Sequence, residues 1–130
     1  MINFLKEENS MLFADSHEWI KLEGDIATLG ISSFARKELG DVVFIQFPKI
    51  GDQLKAYTEC IVIESTKAAT DIYTPVSGTV LELNEKLVSN LNLLNRDPEN
   101  SGWMIKIKLD HEPDLKYLMS FKDYQELIEG

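Results

Sequence analysis

One lysine stands at the most informative point of the sequence, in the run Glu64-Ser65-Thr66-Lys67-Ala68. Residues 59–64 before it and 70–74 after it are rich in Ile, Val and Thr, which is typical of strands. Because only a short polar stretch separates them, Lys67 is predicted at the tip of a β-hairpin. A lysine between two strands is most often a solvated turn residue. On a rigid β scaffold, however, a tip residue can be presented to other enzymes while its base stays anchored.

A conventional active site is hard to assemble from the other reactive residues. His17 and His111 are the only histidines, and neither has metal-ligand spacing with another His or Cys. The sequence has no Gly-rich phosphate loop and no Gly-x-Ser-x-Gly motif. Cys60, the single cysteine, lies in an apolar run, where we expect a buried, inert thiol rather than a nucleophile. One cysteine also excludes an intrachain disulfide and fits a reducing compartment.

The composition narrows the class of protein. A length of 130 residues with 44% hydrophobic residues predicts one domain with an ample core. The formal net charge of −9 argues against nucleic acid and anionic membranes as partners. No segment approaches the roughly 18 consecutive apolar residues of a membrane span, and residues 1–8 lack a leader pattern. We therefore expect a cytoplasmic monomer with no nucleic-acid or membrane partner.

The spacing of turn residues indicates a mainly β protein. Gly, Pro and Asp recur about every 8 to 12 residues between short β-rich runs, which is typical of sandwiches and barrels. We predict strands over residues 17–22, 25–31, 42–47, 59–64, 70–74, 79–84 and 103–109.

Helical patterns occupy the remaining segments. A short internal helix is predicted over residues 34–39, ending at Gly40. The Asn-rich connector 85–98 has leucines that fit one helical stripe: Leu87, Leu91 and Leu94. Residues 112–130 change to a helical period, with an apolar face of Leu115, Leu118, Met119, Leu127 and Ile128. We therefore predict an N-terminal extension, residues 1–12, and a helical C-terminal segment within a single domain.

Several motifs in a fixed order give the sequence a family resemblance. Glu64-Ser65-Thr66-Lys67-Ala68, with Gly51 before it and Pro75-Val76-Ser77-Gly78 after it, is similar to the lipoyl-attachment signature. More closely, the chain resembles the H proteins of the glycine cleavage system from about Phe13 to Ile128. Further matching motifs are Ser16-His17-Glu18-Trp19, Ala27-Thr28-Leu29-Gly30-Ile31, Leu39-Gly40-Asp41-Val42-Val43-Phe44 and Gly102-Trp103-Met104-Ile105-Lys106-Ile107-Lys108.

The resemblance implies a fold, a cofactor and a set of partners. The fold would be a flattened β-barrel, or barrel-sandwich hybrid of the lipoyl-domain (hammerhead) type, with residues 1–130 as one lipoyl-carrier domain. Lys67 would carry amide-linked lipoate, attached by a lipoate ligase or a lipoyl/octanoyl transferase. In this family the arm is loaded by glycine decarboxylase (P protein), unloaded by an aminomethyltransferase (T protein) and reoxidised by dihydrolipoamide dehydrogenase (L protein). Such a carrier is a substrate of these enzymes and is not itself an enzyme.

The resemblance also implies roles for four further side chains. Ser16, Glu18 and Asp71 would contact the end of the loaded arm, where a hydroxyl and carboxylates can replace the water around an amine. Glu64, three residues before the lysine, would be recognised by the ligase. Each has a plainer alternative: a turn serine, an exposed strand acid, a solvated hairpin acid and a strand-end acid that favours solubility.

Neighbouring carrier families fit the sequence less well. Biotin carriers usually have methionines on both sides of the modified lysine, whereas Thr66 and Ala68 flank Lys67 here. Lipoyl domains of 2-oxoacid dehydrogenase complexes normally have Asp before the lysine and a Pro/Ala-rich linker after the domain, and this sequence has neither. Two other hypotheses remain: a carrier that relays or stores lipoate or serves other redox chemistry, and an unmodified interaction domain.

Acidic residues gather around the predicted hairpin. On or beside its strands we place Glu59, Glu64, Asp71, Glu82 and Glu85. We expect these charges to form a docking surface for basic entrances on partner enzymes.

Overall fold

Short apolar runs form nine strands in residues 11–130, which are the residues that the computed structural model describes. The strands are β1 (Met11–Phe13), β2 (Glu18–Glu23), β3 (Ile26–Ile31), β4 (Val42–Gln46), β5 (Gln53–Leu54), β6 (Thr58–Ser65), β7 (Ala69–Thr74), β8 (Gly78–Leu83) and β9 (Ile105–Leu109). The helices are α1 (Ser33–Leu39), α2 (Lys86–Ser89), α3 (Asn92–Arg96) and α4 (Phe121–Glu129). All seven predicted strands and the internal helix are present, and β1 and β5 are additional. No helix in the described part of the chain has the length and apolarity to cross a membrane.

The strands pair into two antiparallel sheets. One has six strands in the order β1-β2-β3-β9-β8-β5, and the other has three in the order β4-β6-β7. Their inward-facing residues share one apolar core, which includes Ile20, Leu29 and Ile107 from the first sheet and Ile61, Ile63 and Ile72 from the second. Full burial of one such side chain contributes roughly 1.5–3 kcal/mol. The predicted barrel-sandwich architecture is confirmed.

Trp19 joins the six-stranded sheet to the loop before β9. Its Nε1 donates to the carbonyls of Ile31 (2.8 Å) and Pro98 (3.0 Å). The indole lies directly against Gly30, where a Cβ would come within 2.6 Å of the ring. Trp19 is therefore a buried core aromatic. Trp103 is only half-buried, and Lys106 Nζ lies 5.1 Å from its ring centroid.

The connector between β8 and β9 is two short helices rather than one helical stripe. Asn90 separates α2 from α3, because its φ of −148° and ψ of 80° are not helical. Leu87 and Leu94 are buried on either side of this break, whereas Leu91 is half-buried. The leucines reach the core, but not along one helix.

The C-terminal helix begins later than predicted, at Phe121. Residues 112–120 are not helical, and the prediction of helix there was wrong. Met119 instead pairs with Phe13 of β1 through two backbone hydrogen bonds of 2.8 Å, which satisfy both residues in an extended conformation. Ser120 then caps α4, since its Oγ accepts a hydrogen bond from the amide of Asp123 (3.2 Å).

The boundary of the N-terminal extension also differs from the predicted one. Met11 and Leu12, predicted to belong to the extension 1–12, lie in β1 and pair with β2. The rest of that extension, residues 1–10, lies outside the described residues.

One buried tyrosine holds α4 against the rest of the fold. Tyr124 is buried, and its ring stacks on Phe13 with 4.5 Å between centroids. Its hydroxyl lies 2.6 Å from Ser32 Oγ and 2.7 Å from His17 Nδ1. Ser32 also caps α1, because its Oγ accepts a hydrogen bond from the amide of Ala35 (3.0 Å). The C-terminal helix is thereby connected to the start of α1.

Candidate functional site

Ser65 organises the turn between β6 and β7. Its Oγ accepts hydrogen bonds from the amides of Lys67 (3.1 Å) and Ala68 (3.2 Å), and its own amide donates to the carbonyl of Ala68 (2.9 Å). These bonds satisfy backbone groups that a tight turn otherwise leaves free. Lys67 is exposed at the tip of the hairpin, where the sequence places it.

The end of α1 supports this turn from the side. The amide of Thr66 donates to the carbonyl of Asp41 (3.0 Å), and Lys67 Nζ donates to the carbonyl of Glu38 (3.2 Å). The last carbonyls of a helix carry partial negative charge and attract an ammonium group. Between Glu38 and Asp41, Gly40 has φ 79° and ψ −168°, a conformation that is essentially restricted to glycine. A Cβ at Gly40 would lie 2.9 Å from Thr66 Oγ1.

Two residues that the sequence did not single out brace this support. Asn95 of α3 brackets Val42, since its Oδ1 accepts from the Val42 amide (2.8 Å) and its Nδ2 donates to the Val42 carbonyl (3.1 Å). Arg36 of α1 donates to the carbonyl of Asn95 (2.8 Å) and forms a 2.8 Å ion pair with Asp41. Neither residue type is unusual in its segment, so only the tertiary contacts reveal this role.

Glu64 and Asp71 lie on the outer face of the three-stranded sheet. Glu64 is opposite Ala69 of β7 and Phe44 of β4, and Asp71 is opposite Val62. Opposite residues, and residues two apart on one strand, share a face of a sheet. Both acids are exposed, and neither forms an ion pair among the described residues. With Phe44 half-exposed at 50%, this outer face is acidic around an apolar centre and adjoins the turn.

Two of the predicted docking acids do not belong to this face. Glu82 lies on β8 of the other sheet, 3.9 Å from Lys106, and Glu85 follows that strand. Glu59, opposite Tyr73, does share the face with Asp71. The acidic surface beside the turn therefore consists of Glu59, Glu64 and Asp71.

Glu18 is buried, which rules out its plainer alternative as an exposed strand acid. Only 3% of the residue is exposed. Its Oε2 accepts a hydrogen bond from the amide of Tyr73 (3.1 Å), and its Oε1 accepts one from the hydroxyl of Ser16. Burial raises the pKa of Glu18, the hydrogen bonds oppose that rise, and the nearby Asp15 adds to it. This carboxylate joins β2 of one sheet to the edge strand β7 of the other.

The predicted arm contacts follow one line along β7. Asp71 lies two residues beyond Ala69 at the turn, and Tyr73, which contacts Glu18, lies two residues farther. Each step covers about 7 Å of strand. The structure thus brings Ser16 and Glu18 into contact with each other and places Asp71 between them and the turn. This arrangement can accept hydrogen bonds from a cationic group held near β7.

Cys60 lacks the features of a reactive thiol. It is half-buried at an irregular point of β6, between Glu59 and Ile61. Burial raises the pKa of its thiol to about 12, and the Glu18 carboxylate adds to the rise, so the thiolate is scarce at neutral pH. Among the described residues, no group of three or more His, Cys, Asp and Glu side chains is arranged to hold a metal ion.

Fold and turn together define the class of protein. The fold is a barrel-sandwich hybrid whose hairpin turn presents a lysine, and the turn is held by Ser65 and by the end of α1. This is the architecture of a carrier domain.

Comparisons with known proteins identify the family. The family model for the glycine cleavage H-protein matches residues 11–130. The glycine cleavage system H protein of Carboxydothermus hydrogenoformans is 47% identical over 117 residues, which is 90% of this chain and 90% of that protein. The H protein of Acaryochloris marina is 46% identical over 122 residues, or 94% of this chain and 95% of that one. The chain belongs to the glycine cleavage H-protein family, a family of lipoyl carriers and not of enzymes.

A solved structure agrees with this assignment. The crystal structure of a glycine cleavage system H protein from Mycobacterium marinum superposes with a TM-score of 0.83 at 29% identity. The match covers 94% of this chain and 98% of that one. The resemblance and the fold predicted from the sequence are both confirmed.

Substitution of Gly40 should loosen the turn that carries Lys67. We expect Gly40→Ala to lower the free energy of unfolding by roughly 1–3 kcal/mol, because alanine is strained at this φ and ψ and its Cβ meets Thr66. Amide hydrogen exchange at Thr66 should also become faster, since its bond to Asp41 is displaced. Gly24→Ala is the matched control: Gly24 also has a positive φ, 63°, but nothing lies within 4 Å of its Cβ position. Unchanged exchange at Thr66 would contradict the proposed contact.

Replacing Glu18 with glutamine should change the pH dependence of stability. The pKa of Glu18 is raised in the folded state, so folding favours its protonated form. Its contribution to stability is therefore full below the unfolded-state pKa, about 4.3, and is lost as the pH rises through the folded-state pKa. Glu18→Gln keeps an acceptor for Tyr73 without the charge. We expect the variant to gain stability relative to the wild type as the pH rises above about 4. Urea unfolding across this range measures the gain, with the exposed Glu23→Gln as control, and parallel curves for Glu18→Gln and wild type would refute it.

Proposed function

We propose that Lys67 carries an amide-linked lipoyl group and that this chain is the lipoyl carrier of a glycine cleavage system. It shuttles the aminomethyl group of glycine between glycine decarboxylase, an aminomethyltransferase and dihydrolipoamide dehydrogenase. The observation that carries the proposal is the turn itself, an exposed lysine whose backbone is held by Ser65 and by the end of α1, in a chain of this family. The carrier is a substrate of these enzymes and catalyses no step.

The residues around Lys67 fit an amide-linked arm. Its Nζ contacts the carbonyl of Glu38 at 3.2 Å, and an amide N–H can donate to the same oxygen. Amidation removes the positive charge and weakens the attraction to the end of α1, which frees the side chain to leave the surface. When bound, the lipoyl group supplies a dithiolane that is reduced as it receives the one-carbon unit. The chain supplies the fixed base and the open outer face over which the arm moves.

Asp71, Glu18 and Ser16 support a resting place for the loaded arm. An arm that starts at Lys67 and lies along β7 passes Asp71 first and then reaches Glu18 and Ser16. Asp71 offers an exposed carboxylate to a cationic amine. Glu18 is already desolvated, so an ammonium placed beside it restores interactions that the carboxylate lost on burial. Shielding the aminomethyl group there protects it from hydrolysis.

The acidic outer face supports docking of enzymes at the arm. Glu64 lies on this face beside the turn, where a lipoate ligase or lipoyl/octanoyl transferase can recognise it together with Lys67. Glu59, Glu64 and Asp71 are complementary to basic active-site entrances, which steers encounter between proteins. We also propose that the chain is one domain and works as a monomer in the cytoplasm, where a free cysteine persists.

Lys67 should be the site of modification. Incubation of the full chain with lipoate, ATP and a lipoate ligase is expected to add the mass of one lipoyl group to the wild type and nothing to Lys67→Arg, which intact-mass spectrometry resolves. Lys55→Arg is the control, since Lys55 is also exposed but lies at the other end of β6. An adduct that persists in Lys67→Arg would place the arm elsewhere. A lipoylated chain that supports no glycine-dependent reduction with the decarboxylase would favour the lipoate-relay hypothesis.

Loss of an arm contact should shorten the lifetime of the loaded arm. We expect Asp71→Asn and Ser16→Ala to hydrolyse their aminomethyl group roughly three- to tenfold faster than wild type, which corresponds to a typical net hydrogen-bond contribution of about 1 kcal/mol. Decay of the loaded mass at neutral pH gives the rate. Glu23→Gln, an exposed acid on β2, should decay like wild type. Equal rates in all four proteins would remove these residues from the arm site.

A further inference from the structure

A cavity of about 410 Å³ lies outside the Lys67 site, between the end of β8 and the loop before β9. This volume is within the range of about 300–1,000 Å³ that is typical of small-ligand sites. The lining combines apolar with polar side chains and includes Leu83, Asn84, Glu85, Leu93, Ser101 and Trp103. No role assigned above to the carrier uses this cavity.

Asn84 presents a hydrogen-bond acceptor to the cavity. The residue is 4% exposed. Its Nδ2 donates to the carbonyls of Ser101 (3.1 Å) and Trp103 (2.7 Å), which uses both amide hydrogens and fixes the orientation of the side chain. Its Oδ1 accepts no hydrogen bond from the described residues. Asn84 lines the cavity, so this oxygen is the acceptor that the residue can offer to a ligand there.

Among the described residues, one unpaired carboxylate at this cavity suits a cation. Glu82, Glu85 and Lys86 line it, and Lys106 lies 3.9 Å from Glu82, which leaves Glu85 as the carboxylate available to a ligand. Within the described part of the chain, the carboxylate of Glu85 forms neither an ion pair nor a hydrogen bond. The ammonium of Lys106 lies 5.1 Å from the centroid of the Trp103 ring, so the ring offers a ligand apolar contact rather than a second cation site.

We propose that this cavity binds an alkylguanidinium group. One N–H donates to Asn84 Oδ1 and another to the carboxylate of Glu85, while the alkyl stem packs on Leu93 and Trp103. A guanidinium has five donors in a fixed plane and no acceptor, which matches a site that offers separated acceptors. The group belongs either to a free guanidino compound or to an arginine of a partner protein.

The test is a titration of the unmodified full chain with n-butylguanidine, followed by amide chemical shifts. We expect saturable shifts at Asn84, Glu85 and Trp103, and roughly tenfold weaker binding of n-butylurea, a neutral analogue of similar shape. Glu85→Gln should weaken binding of the guanidine about three- to tenfold and should fold normally, because Glu85 is exposed. Glu23→Gln is the control and should bind like wild type. Absence of saturable shifts at the cavity, equal binding of the urea, or an unchanged affinity in Glu85→Gln would overturn the proposal.

Comparison of two ligands in the titration distinguishes the source of the cation. A capped Ala-Arg-Ala peptide that binds at least as tightly as n-butylguanidine supports a partner's arginine. A peptide that fails to bind where n-butylguanidine succeeds supports a free guanidino compound. Both titrations use protein without lipoate, so a negative result does not count against the proposed carrier function. Likewise, absence of lipoylation at Lys67 does not count against the cavity as a binding site.

Discussion

The hydrogen bond from the Thr66 amide to the carbonyl of Asp41, 3.0 Å long, is the contact on which the presentation of Lys67 depends. Strand pairing between β6 and β7 ends at Glu64 and Ala69, so the exposed turn beyond this pair needs support from outside the hairpin. Asp41 gives that support only because the chain turns sharply at Gly40 and because Asn95 and Arg36 hold the start of β4. A surface lysine thereby gains a fixed base.

A buried carboxylate makes the second connection between the sheets. Glu18 lies on β2 and satisfies the Tyr73 amide on the edge of β7, a backbone donor that has no further strand to pair with. Burying this acid is costly, and its raised pKa records that cost. The same desolvation makes it a strong partner for an ammonium group. In the proposed function, one side chain thus closes the sandwich and receives the loaded arm.

Helix α3 links the carrier site to the cavity on the other sheet. Its Asn95 brackets Val42 beside the turn, and its Leu93 lines the cavity with Trp103. Residues two apart on a helix lie about 200° apart around its axis, so Leu93 and Asn95 reach opposite sides of α3. An occupant of the cavity would therefore contact the same five-residue helix that braces the base of the arm.

Local pattern was enough to predict the strands around Lys67, the short helix ended by Gly40 and the lysine at the hairpin tip, because periodicity and turn residues act over a few positions. It also predicted an inert Cys60 from the apolar run that contains it. The non-helical segment 112–120, the burial of Glu18 and the clamp made by Asn95 could not be predicted in this way. Each depends on a partner distant in sequence, Phe13, Tyr73 and Val42 respectively, and the energy of such a contact exists only once the sheets have packed.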